Sequence, residues 1–302
     1  MTLRRLALAP LLLAGAALAQ DPAQLKQLLE EKGRSIVVLK LVLKTEIQFM
    51  GQSQDQEQKL TIPGVLVNDK GLVMLSNSAV SANRMKEMFG GDEGEQKFEV
   101  QVTPVSIKVV LEGEEKEHDA FLAASDARLD LAFVQVEGLG DRKVQPVDFG
   151  AQTALDVGQQ VLSISRLGEG FDYAPQLALG RVTGRIKKPR AAWLTSGAGE
   201  GVGLPAFDLQ GKVVGAFTLL TSGIRGDDEG GMGLGLGQGM SGPFQTVLLP
   251  ASAVKTVIDQ AAARAAEVAA ERQKTGATGP GALPPGAEGE APPTGGEKKM
   301  GE

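Results

Sequence analysis

Chemistry at neutral pH usually begins with a group that can take a proton, and this chain has a single imidazole and no thiol to offer. The imidazole is His118, set in the run from Leu111 to Asp119 where glutamates and lysines dominate. That run reads as the charged rim of a hairpin, with His118 facing solvent. Candidate hydroxyls are Ser76 and Ser78, and the candidate carboxylate is Asp130. A serine hydroxyl becomes a nucleophile only beside a base, within hydrogen-bond reach. If Ser125 to Arg128 forms a turn, Asp130 lies opposite Ala123 and His118 about five residues away, roughly 17 Å at strand rise. On this spacing His118 activates nothing. Ser76 and Ser78 can instead donate hydrogen bonds to Asp130, which would cap a turn or accept from backbone amides. With no cysteine and one histidine the pattern predicts neither a metal site nor a cofactor. The glycine-rich stretch 230–239 follows no strand-to-helix turn, so it is not expected to cradle phosphate.

The elements that must position these groups are mostly strands. Asp21 followed by Pro22 is a helix start, and Leu25, Leu28 and Leu29 give residues 20–34 an amphipathic helix. From Ser35 onward β-branched runs take over, at Ser35 to Lys44, Gly64 to Val67, Leu72 to Ser76, Val105 to Leu111, Asp130 to Val136, Gln160 to Ser165, Leu177 to Arg185 and Lys212 to Leu220. Asn68 to Gly71 and Leu209 to Lys212 are hairpin turns. Many short strands predict an antiparallel sandwich or a pair of barrels. A second helix is predicted from Pro250 to about Gln273, with Val254, Val257, Ile258, Ala261, Ala262 and Ala265 on one face. Residues 274–302 are glycine, proline and glutamate, a composition that predicts disorder.

The first residues address the chain. Arg4 and Arg5 precede an apolar stretch from Leu6 to Ala16, too short to span a bilayer, and Ala17-Leu18-Ala19 is a small-residue cleavage site. Residues 1–19 are therefore expected to be a signal peptide, and the mature protein to be periplasmic or extracellular, with no membrane anchor. The chain carries 31 basic and 37 acidic side chains, for a formal charge of −6, and loss of Arg4 and Arg5 deepens it to −8. Nucleic acid is an unsuitable partner for such a surface. The basic cluster from Arg185 to Arg190 reads as a solvated turn.

Three segments, in order, resemble trypsin-like serine proteases of the HtrA type. Gly64 to Val80 is similar to the hairpin that delivers the family's histidine. Ser125 to Val136 looks like its Ser-Asp-x-x-x-Asp-Leu/Ile-Ala strand, and Glu200 to Gly215 its Gly-Asn-Ser-Gly-Gly-Pro nucleophile loop. The resemblance implies two six-stranded antiparallel β-barrels of the chymotrypsin type, with a short helix before and a helix after. It places one protease-fold domain over 35–265, with barrels at about 35–145 and 146–250, and leaves 266–302 as helix extension and tail. Carried over by position, Ser78 stands at the family's histidine, Asp130 at its aspartate and Val202 at its serine. Glu200, Gly201 and Gly203 fall in the oxyanion loop. Two of three triad members are thus replaced.

Ser252-Ala253-Val254-Lys255 and Lys274-Thr275-Gly276 match marks of penicillin-interacting enzymes, but one helix carries both, where that chemistry needs a strand facing a helix. The expected function is a catalytically inactive trypsin-like module that binds a peptide or protein in the cleft between its barrels or on edge strands. The alternatives are an active serine endopeptidase with a non-standard arrangement, and a structural or assembly protein of the cell envelope.

Overall fold

A computed structural model describes residues 21–49, 52–81, 98–150, 154–188, 190–198, 201–221 and 244–276. The expected signal peptide, the glycine-rich stretch, Glu200 and most of the expected tail lie outside them. Helix α1 (Pro22–Gly33) starts as its sequence predicts: Asp21 caps it by accepting from the Ala23 amide at 2.9 Å, with proline in the first turn.

Twelve strands follow among the described residues. The first six are β1 (Ile36–Phe49), β2 (Gln52–Leu66), β3 (Leu72–Ser76), β4 (Phe98–Val110), β5 (Glu117–Asp126) and β6 (Leu131–Val136). They close into an antiparallel barrel in the order β1-β2-β3-β6-β5-β4. The second six are β7 (Gln160–Arg166), β8 (Pro175–Ile186), β9 (Ala192–Ser196), β10 (Pro205–Phe207), β11 (Val213–Thr221) and β12 (Phe244–Pro250), closed in the order β10-β11-β12-β9-β8-β7. Helix α2 (Ala251–Thr275) leaves β12 directly and buries Ala251, Val254, Ile258, Ala261, Ala265 and Val268, one stripe at helical spacing. The fold is two closed six-stranded barrels with a helix at each end, chymotrypsin-like. No described helix is long and apolar enough to cross a membrane.

Period-two alternation divides the burial. In β3, Val73 and Leu75 join Val37, Leu39, Leu41 and Val109 inside the first barrel, while Leu72 and Met74 face the other way. That second face, with Ile36, Phe121 and Phe133, joins Leu162, Phe207, Leu249 and the stripe of α2 in one core between the barrels. The second barrel keeps a smaller core of its own around Val161, Val214, Phe217 and Leu248.

Several strand limits differ from the sequence expectation. β2 begins twelve residues earlier than Gly64, because its polar half pairs along β1 as an arm whose residues Ser53 to Lys59 are exposed. β5, β9, β10 and β12 lacked a readable signal: β9 and β10 are five and three residues long, and β5 opens with charges. Arg185 and Ile186 belong to β8 rather than to the turn after it.

Candidate functional site

β5 ends at Asp126 and β6 begins at Leu131, so the connecting turn is 127–130 rather than Ser125 to Arg128. Asp126 closes it by accepting from the Leu129 amide at 3.0 Å. Asp130 sits in the left-handed region at φ 54°, a conformation aspartate tolerates better than most residues. Its carbonyl accepts from the Asn77 amide at 3.0 Å, which ties the turn to the end of β3. The expected partner of Asp130, Ala123, falls instead in a bulge between Leu122 and Ala124.

The Asp130 side chain is 5% exposed and is met on all sides by donors. Oδ1 accepts from the Ser78 hydroxyl at 2.6 Å and the Ser78 amide at 2.7 Å. Oδ2 accepts from the Ser76 hydroxyl at 2.9 Å, and the Leu219 amide of β11 approaches it at 3.4 Å. A buried carboxylate needs this compensation. The two serines therefore do meet Asp130. The Leu219 amide had no signal in the sequence, since a backbone donor from the other barrel leaves no trace in residue type.

The loop bearing Val202 reaches the same place from the second barrel. Val202 is half-buried, between Gly201 and Gly203, which are buried. Gly203 has φ +86° and lies against the backbone of the first barrel: a Cβ there would sit 2.2 Å from the Ser76 nitrogen and 2.6 Å from the Leu75 carbonyl carbon. Its amide donates to the Phe217 carbonyl at 2.7 Å, and the Leu204 amide to the Gly201 carbonyl at 2.9 Å, so the loop is a closed turn. Ser78, Asp130 and Val202 are thus gathered at one place where the barrels meet. A valine side chain has no lone pair with which to attack a carbonyl.

His118 is not there, and it is not exposed either. It lies in β5 opposite Val109, 6% exposed, with Nε2 2.8 Å from Glu114 Oε2. Alternation along the strand turns it inward between exposed Glu117 and Asp119. The other oxygen of Glu114 pairs with Arg142. Burial pushes the imidazole below its ordinary pKa, and the Lys116 ammonium acts in the same direction. Eight residues of strand separate it from Asp126, roughly 26 Å at strand rise, farther from Asp130 than the sequence reading placed it. Among the described residues no three His, Asp or Glu side chains are grouped to hold a metal ion.

The sequence model of the family described as "trypsin-like peptidase domain" matches residues 63–215, a span that holds Ser76, Ser78, Asp130 and Val202. No curated protein matches the chain. Among solved structures, a crystal structure of Deg5 is similar at 21% identity and a TM-score of 0.44, over 65% of this chain and 84% of that one.

Proposed function

The chain belongs to the trypsin-like peptidase domain family, and from that premise we propose that it is an exported, catalytically silent member that holds an extended peptide or protein segment. The observation that carries this reading is the state of Asp130. Where a working triad has an imidazole bridging aspartate and nucleophile, the carboxylate here is filled by two serine hydroxyls and a backbone amide, and Val202 stands where the resemblance puts the nucleophile. In a model triad enzyme, loss of the base or the nucleophile alone lowers kcat by a factor of about 10⁶, or about 8 kcal/mol. Export is supported by the order of Arg4-Arg5, the Leu6 to Ala16 stretch and Ala17-Leu18-Ala19. Strand addition has a place to occur: β2 pairs with β3 only at Val65 and Leu66, and β4 with β5 only at Lys108 to Val110. Among the described residues the outer edges of β2 and β4 beyond those pairs carry no further strand.

A second reading rests on the 2.6 Å contact between the Ser78 hydroxyl and Asp130, which would make Asp130 the base for a Ser78 nucleophile. Its lone pairs are already shared among donors, and that weakens it as a proton acceptor. One experiment separates the two. The mature chain is incubated with casein and with a fluorophosphonate probe, and casein peptides are titrated against it by fluorescence anisotropy. Binding with neither cleavage nor labelling is expected. Covalent label on Ser78, absent from Ser78→Ala, would replace this reading by the second.

A further inference from the structure

Away from the Asp130 cluster, the C-terminal half of α2 leans over β5, β6 and the turn between β2 and β3, enclosing a groove of about 640 Å³. That volume falls in the range of about 300–1,000 Å³ typical of small-molecule sites. Its helical wall is alanine, at Ala262, Ala265, Ala266 and Ala269, and its opposite wall includes Phe121 and Val136. Short side chains on the helix keep the groove open. Arg272 stands at one end with its guanidinium 4.6 Å from the centre of the Phe121 ring and its side chain 11% exposed.

The guanidinium is poorly supplied with acceptors. It has five N–H donors, yet among the described residues its one acceptor is Glu137, whose Oε1 lies 3.5 Å from an Nη at the limit of a hydrogen bond, and Nε is buried with no partner there. A buried group left in this condition calls for an acceptor, and a planar carboxylate is the one that matches a guanidinium fork. The other charges of the wall, Lys70 and Asp69, offset one another.

The walls also decide what carries that carboxylate. The α2 amides and carbonyls are engaged within the helix, and on the opposite wall Phe121 of β5 pairs with Gln135 of β6 while the Val136 amide donates to the Gly71 carbonyl at 3.1 Å. An extended peptide in the groove would lay main-chain N–H and C=O groups along the alanine wall, whose side chains offer no donor or acceptor to meet them. We propose that the groove binds an aliphatic monocarboxylate, its chain along the alanines and Phe121 and its carboxylate on Arg272. The proposal stands independently of the Asp130 cluster and of any peptide held there.

The test is isothermal titration of the mature chain with sodium decanoate below its micellar concentration. Saturable binding at one site is expected, weakened at least about tenfold in Arg272→Gln and for 1-decanol, which lacks the carboxylate. Ala266→Trp, on an exposed position of α2, fills the groove without touching Arg272 and should abolish binding while leaving the far-ultraviolet circular dichroism unchanged. Absence of saturable decanoate binding overturns the proposal. So does equal affinity for decanol, unchanged binding in Ala266→Trp, or displacement of decanoate by an oligoalanine peptide that binds more tightly.

Discussion

Asp130 is held by the donors that surround it. Its carboxylate accepts from the hydroxyls of Ser76 and Ser78 and the amide of Ser78, and its backbone occupies a left-handed conformation that asparagine also tolerates. Asp130→Asn therefore changes the side chain while sparing the turn. One face of the amide presents N–H groups to donors, and a buried donor without an acceptor costs about 1–3 kcal/mol. The urea midpoint should fall accordingly at unchanged m. His118 titrates in a different way. Unfolded imidazole takes up its proton near pH 6.5, and the folded one only at lower pH because it is buried. Its contribution is complete above pH 6.5 and is lost as pH falls through the folded value. Unfolding free energy measured in urea should fall between pH 7.5 and 5 more steeply in the native chain than in His118→Gln, which keeps a donor for Glu114 but does not titrate. Parallel pH profiles would disprove this. The inward position of His118 was not legible, because Glu117 and Asp119 on either side gave the start of β5 the look of a solvated rim.

At the level of elements, two glycines separate backbone strain from collision. Gly203 and Gly113 both have positive φ, at +86° and +71°. A methyl group at Gly113 meets nothing within 4 Å, whereas at Gly203 it meets the backbone of Leu75 and Ser76, which has no rotamer to yield. Gly113→Ala should lower stability by about 1 kcal/mol. Gly203→Ala adds overpacking to that strain and should lower it by about 3 kcal/mol or more, both measured by urea denaturation. Similar losses for the two would mean that the Val202 loop does not rest on the first barrel as described. The elements most legible in the sequence were those whose own residues close them. Asp21 caps α1, Asn68 accepts from the Lys70 and Leu72 amides in the β2–β3 turn, and Asp208 from the Gln210 and Lys212 amides in the β10–β11 turn. β10 was hidden for the opposite reason: three residues show no period, and its pairing with β7 and β11 is set by the barrel as a whole. Gathering Ser78, Asp130 and Val202 was legible only through resemblance, because no local signal links residues so far apart in the chain.

Across the whole molecule, the barrels share more than they keep. The core between them takes in α1, both sheets and α2, so neither barrel can open without exposing the other's apolar face. Arg166, in the second barrel, adds a polar strut to that core. Its Nε donates to the Ile36 carbonyl at 2.7 Å, one Nη to Gly33 at 3.0 Å and the other to Tyr173 at 3.2 Å, with Glu112 of the first barrel 3.3 Å away. One guanidinium thus fixes the end of α1 and the start of β1 against β7. Arg166→Met keeps the side-chain length but removes every donor, and hydrogen bonds to a charged group contribute about 1.5–3 kcal/mol each. Loss of part of that network should lower stability by about 3 kcal/mol or more. Because the shared apolar core is untouched, the barrels should still unfold together, as a single calorimetric transition at lower Tm whose van't Hoff and calorimetric enthalpies agree. Two resolved transitions in Arg166→Met would show instead that this one side chain, rather than the core, couples the barrels.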